Sequence, residues 1–113
     1  MTPEFKQRIH DALQACRAIQ SFTHQVSFND YADSLMLRSA VERQFEILGE
    51  ALNRASEIDP DIQTLLPDLP RIVGMRNRII HGYDSVDDEI IWDAIQCHIF
   101  PLVRVLPSIL GGD

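Results

Sequence analysis

The sequence has a single lysine, Lys6, beside nine arginines, and its 17 acidic residues outnumber the ten basic ones to give a formal net charge of −7. This shortage of positive charge argues against a long nucleic-acid track, which relies on a broad basic surface and counterion release. Any contact with RNA has to be local. Cysteine is scarce too: Cys16 and Cys97 stand apart, with no CxxC pair and no Cys/His cluster. Neither a disulfide framework nor a zinc site is expected, and the reading calls for no metal and no cofactor. No unbroken apolar run approaches the roughly 20 residues that span a bilayer. The opening Met1-Thr2-Pro3-Glu4-Phe5-Lys6 lacks the basic-then-apolar pattern of a secretion signal. A cytoplasmic protein without a membrane partner is the expectation. The absence of a Gly-rich phosphate loop argues against an ATPase acting by itself. No repeat, no low-complexity tract and no sustained strand alternation is visible.

What the chain does have is helical periodicity from end to end. Its 113 residues, 45% of them hydrophobic, suit one domain (residues 1–113) with one core. Thr2 is a fitting N-cap, with Pro3 at the first helical position and Glu4 in the first turn. Phe5, Ile9, Ala12, Leu13, Cys16, Ile19 and Phe22 then recur at the spacing of one buried helix face. The polar stretch Gln25 to Asp30 breaks that helix. A second, predicted from about Tyr31 to about Glu57, carries Leu35, Val41, Phe45, Leu48, Leu52 and Ala55. Asp59-Pro60 stops it. Residues up to Leu69 read as a loop with one helical turn. Pro70 opens a short third helix that Gly82 closes. Asp87 and Asp88 start a fourth, in which Pro101 should produce a kink. The fold class is therefore all-α, an antiparallel bundle of four to five helices.

The residues that carry chemistry crowd into Met75-Arg76-Asn77-Arg78-Ile79-Ile80-His81-Gly82-Tyr83. Arg76 and His81 are separated by about 140° of rotation and about 7.5 Å of rise on an ideal helix, so they flank a groove rather than face each other. Asn77 lies on nearly the same face as His81, and Arg78 is within one turn of it. Cleavage of RNA by its own 2′-hydroxyl needs a proton carrier near neutral pH, which histidine supplies. It also needs a cation against the charge that builds on the phosphoryl group, which arginine supplies. One short chain offers one such histidine; a two-fold dimer offers two. The spacing alone is weak, since Arg17 and His24 fit its looser form and a histidine closing a helix also suits the helix dipole.

Three ordered segments sharpen this reading. The motif above, Arg-x-x-x-x-His-x-Tyr, resembles the signature of the HepT-like branch of the HEPN superfamily. Glu42 to Ala51, ending Gly49-Glu50-Ala51, resembles that family's preceding helix, and Val86 to Trp92 resembles the segment after the motif. The likeness runs from about Asp30 to Leu106. It implies a HEPN-type helical bundle that forms a homodimer, with a metal-independent endoribonuclease in the shared groove. The resemblance further implies the toxin of a type II or type VII toxin–antitoxin pair. Arg76 and His81 would be catalytic and Asn77 and Arg78 supporting. The implied partner is a nucleotidyltransferase antitoxin of the MntA type, which attaches AMP to the motif tyrosine, here Tyr83. Where family members often carry tryptophan before the motif helix, this chain has Leu69-Pro70-Arg71. The competing reading is a non-catalytic nucleotide- or RNA-binding module, or an assembly partner of a nucleotidyltransferase, and the acidic composition favours it.

Other residues read more plainly. Glu42, Glu46 and Glu50 form an i, i+4, i+8 row without histidines spaced to make a metal site, so they read as a solvated stripe or as partners of Arg76 and Arg78. Gly49, costly inside a helix by about 1 kcal/mol, points to a close helix approach. His10, His24 and His98 are isolated, and Cys16 reads as a small core hydrophobe.

Overall fold

The computed structural model describes residues 1–82 and 86–111. Among these residues every regular element is helical, as the periodicity requires. Helix α1 is Pro3–Thr23, α2 Phe28–Ala32, α3 Leu35–Ile58, α4 Ile62–Leu65 and α5 Leu69–His81. Helix α6 is Asp88–Ala94; it continues through a π-helical turn at Ile95–Ile99 into α7, Phe100–Ile109. Helix α1 packs along α3, α3 along α5, and α7 returns to α1.

The helix starts are set locally. Thr2 Oγ1 accepts from the Phe5 amide, Ser27 Oγ from Asp30, Ser34 Oγ from Leu37 and Asp87 Oδ1 from Glu89. Each satisfies an amide that the first turn leaves without a partner. The Ser34 cap corrects the expectation of one helix running on from Tyr31: the chain forms the short α2, breaks at Asp33-Ser34, and starts α3 afresh. Tyr31 turns into the core and Leu35, expected to be buried, is 70% exposed beside Met36 at 82%. Phe22 is likewise exposed, at 39%, because α1 is ending there.

One contiguous core joins Phe5, Ile9, Cys16 and Ile19 of α1 to Phe45, Leu48 and Leu52 of α3, with Ile72 and Ile79 of α5 and Ile99 and Leu106 of the last helical run. Burial pushes the Cys16 thiol up to about 12, which keeps it protonated and inert at neutral pH. Trp92 anchors α2 to α6, its ring 5.4 Å from Tyr31 and 6.1 Å from Phe28. The Phe28 contact is edge-on, with the rings 62° apart, a geometry that aromatic rings prefer.

The last helical run accommodates Pro101 by changing its register. Proline has no amide hydrogen and its ring collides with the carbonyl four residues back, here that of Cys97. The π-helical turn at Ile95–Ile99 opens the ladder at that carbonyl. It also suits the core: Ile91, Ile95 and Ile99 recur every four residues, which drifts by about 40° per step in an α-helix, yet all three are buried. By length and mean hydropathy Asp88–Ile109 reaches the minimum for a bilayer span. Asp93, His98 and Arg104 interrupt it, so no unbroken apolar stretch shows in the sequence. In the fold, Ile91, Ile99, Leu102 and Leu106 of this run belong to the protein core.

Candidate active site on helix α5

The close approach of α3 and α5 centres on one pair of residues. A Cβ placed on Gly49 would lie 2.5 Å from the Cβ of Arg76 and 3.1 Å from its Cγ and Cδ. Only glycine permits α5 to cross there with an arginine at the contact. The stem of Arg76 lies across Gly49, and its head is then held from two sides. Nη2 pairs with Glu50 Oε2 at 2.6 Å and Nη1 donates to Asn77 Oδ1 at 2.8 Å. The Gly49-Glu50-Ala51 segment thus supplies the space, the counter-charge and, through buried Ala51, a core contact.

Glu50 also accepts from Arg54 Nε at 2.9 Å. That hydrogen bond, with the charges of Arg76, Arg54 and Arg8, holds its carboxyl below the usual glutamate range against a partial desolvation that works the other way. Glu50 is therefore ionised throughout the neutral range, and Arg76 loses this partner only when acid takes the pH below the depressed value. The pair is partly exposed, 24% and 38% by side chain, so its role is to fix direction rather than to add much stability.

The carboxylate row divides three ways. Glu50 serves Arg76, Glu46 pairs with Arg43 at 3.1 Å within α3, and Glu42 faces burial and Asp88, which together push its pKa up against the pull of Arg38. The expected pairing of this row with Arg76 holds for Glu50 and does not extend to Arg78.

The four motif residues within the described chain do not form one cluster. Arg76 and Asn77 are hydrogen-bonded to each other. His81 lies on the exposed last turn of α5, where no described residue hydrogen-bonds its ring. Arg78 is two residues from Arg76, about 200° around the helix, and lines a groove toward α6 instead. Gly82 caps α5, its amide donating to the Arg78 carbonyl at 2.8 Å, with φ −135° rather than the left-handed value often seen past a helix end. Tyr83 lies outside the described residues.

Two features beside the motif have no signal in the sequence. Arg8 of α1 lines the same cleft of about 290 Å³ as Arg76, with Asp11, Glu46, Glu50 and Ile80 on its walls. His98, read as isolated, places Nδ1 2.8 Å from Asp68 Oδ2 and ties the π-helical turn to the start of α5. A partner 30 positions away cannot be read from local spacing.

The ribonuclease HepT-like family model covers residues 12–109. The chain belongs to the ribonuclease HepT-like family. Among curated HepT-like relatives, a candidate RNase of Methanocaldococcus jannaschii is 30% identical over 95 residues, covering 82% of this chain and 84% of its own length. A protein named probable ribonuclease HepT in Thermococcus cleftensis is 31% identical over 98 residues, covering 85% and 86%. A candidate RNase of Caldanaerobacter subterraneus subsp. tengcongensis is 32% identical over 101 residues, covering 89% of each chain. No solved structure matches the chain.

Proposed function

We propose that this HepT-like chain is a metal-independent endoribonuclease whose chemistry is carried by Arg76 and His81. The observation that supports it best is the hold on Arg76: glycine beneath its stem, Glu50 and Asn77 on its head. An arginine fixed this way keeps its direction without reorganising when charge develops nearby. The names of its relatives supply the substrate class. In the proposed reaction the 2′-oxygen attacks the adjacent phosphorus, and the bond from phosphorus to the 5′-oxygen breaks. A 2′,3′-cyclic phosphate and a 5′-hydroxyl result. His81 takes the proton from the 2′-hydroxyl or returns one to the departing 5′-oxygen, and Arg76 neutralises charge on the phosphoryl oxygens. Asn77 orients Arg76. A homodimer would bring a second His81 to one groove, so that one ring acts as base and the other as acid.

The experiment is cleavage of single-stranded RNA by the purified full chain in excess EDTA, with the new ends analysed. Cyclic phosphate ends are expected, at an unchanged rate after chelation. A clean protein that leaves RNA whole, or cuts it only when a divalent ion is restored, would overturn the reading. Binding without turnover would instead favour a non-catalytic RNA-binding module, the reading to which the net charge of −7 lends weight.

The proposal includes a toxin's role, restrained by a nucleotidyltransferase of the MntA type that places AMP on Tyr83. It is supported by the motif Arg76 to Tyr83 and by family membership. Co-expression with such an enzyme should add the mass of one AMP to the wild type and nothing to Tyr83→Phe. Equal mass in both would refute Tyr83 as the acceptor.

A further inference from the structure

Resting on the RNase reading, we propose that the groove between α5 and the α6–α7 run binds phosphates of the RNA strand next to the one that is cut, with Arg71 and Arg78 as its cations. This groove encloses about 500 Å³, with Arg71, Gly74, Met75 and Arg78 along one wall and Asp93 and His98 on the other. It shares Met75, Arg78 and Ile90 with a second hollow of about 330 Å³ that extends to Gly82. The two together follow α5 from its first turn to the end that carries His81.

The charges on this wall are not shared with a described carboxylate. Arg38, Arg43, Arg54 and Arg76 are each paired with a carboxylate, whereas no described carboxylate pairs with Arg71 or Arg78. These two are seven positions apart, so they lie within about 20° of one line along the helix and about 10.5 Å apart in rise. Gly74 sits between them, and a Cβ added there meets nothing within 4 Å. The wall is therefore two guanidinium forks on either side of an unfilled gap. Such forks match phosphate oxygens in shape and charge. Asp93 across the groove and Asp87 in the smaller hollow oppose a polyanion and limit its affinity. His98 faces the same space with its ring fixed through Nδ1 by Asp68, leaving Nε2 for a ligand. On a chain this acidic, a line of two unpaired arginines favours a short stretch of single strand over a basic or apolar partner.

The test uses a labelled single-stranded oligoribonucleotide carrying 2′-O-methyl groups throughout, which its own sugars cannot cleave. Its binding to the full chain is measured from 50 to 200 mM salt. Loss of one phosphate contact lowers the slope of log affinity against log salt by about 0.7 for single strands, and that change is expected for Arg71→Ala and for Arg78→Ala. Gly74→Glu should weaken binding, while Gly74→Lys and Asp93→Asn should strengthen it. The Gly74 side chains enter open space, so circular dichroism should show the helical fold retained. Unchanged slopes, or no binding by the wild type, would overturn the proposal. So would equal weakening by Gly74→Glu and Gly74→Lys, the result expected if a second copy or another protein fills the groove. A wild type that binds in this pattern yet leaves natural RNA whole would refute the RNase reading and not the groove. Cleavage without the pattern would refute the groove alone.

Discussion

Replacing His81 by alanine is expected to slow RNA cleavage by about 10²–10⁴-fold, the usual cost of losing a general acid or base, while leaving the fold as it is. The second half of that statement follows from the position of the ring. His81 is exposed on the last turn of α5, and no described residue hydrogen-bonds its ring. Substitutions at such surface positions shift stability by about 0.5 kcal/mol or less. Single-turnover cleavage together with thermal unfolding separates the two effects. A loss of rate at constant Tm places His81 in the chemistry. Near-wild-type cleavage by His81→Ala would remove the histidine from the mechanism and with it the proposed division of acid and base across a dimer.

The second large effect is expected from the smallest possible change, Gly49→Ala. The added methyl would lie 2.5 Å from the Cβ of Arg76, so α3 and α5 must separate or slide. Overpacking of this kind costs about 1–3 kcal/mol, partly offset by about 1 kcal/mol from the better helix propensity of alanine. The net fall in stability is thus modest. The fall in activity is not, because a displacement of about 1 Å at a reacting group is enough for about a 100-fold loss. Cleavage should drop by that order while Tm moves by a few degrees. Full activity in Gly49→Ala would show that the hold on Arg76 does not matter to function. The clash involves Cβ, an atom that every residue except glycine carries. No other side chain at position 76 would relieve it, so arginine there depends on glycine at position 49.

How much of this was legible in the sequence depends on how local the cause is. The cap at Thr2, the stop at Asp59-Pro60 and a single helical turn before Leu69 are written in neighbouring residues; the structure has the cap and the stop in those places and puts the turn at Ile62–Leu65. Gly49 announced a close contact by its cost in a helix, although not which residue would meet it. The start of α3 was readable in Asp33-Ser34, but the apolar Tyr31 and Leu35 flanking it suggest a single helix by spacing alone. Their burial is opposite: Tyr31 is fully enclosed and Leu35 is 70% exposed. Arg76 and Arg78 look like one basic cluster on paper and sit on different faces of α5, because two residues are more than half a helical turn. The Asp68–His98 contact and the presence of Arg8 beside Arg76 arise only when distant segments meet. Local spacing contains no trace of them.

The π-helical turn at Ile95–Ile99 has a consequence for chain length. A π turn stores one residue more than the α-helix it interrupts. Within an α-helix of the bundle a one-residue deletion would rotate the later side chains of that helix by about 100° and carry its buried face toward solvent. Within Ile95–Ile99 a deletion can be absorbed by returning the ladder to α register, and Leu102 and Leu106 would keep facing α1. What would be lost is the relief at Pro101 and the placement of His98 against Asp68. This short segment is therefore where the last helix tolerates a change of length, and the cost of that change falls on the groove and on the seating of Ile95 and Ile99 rather than on Leu102 and Leu106.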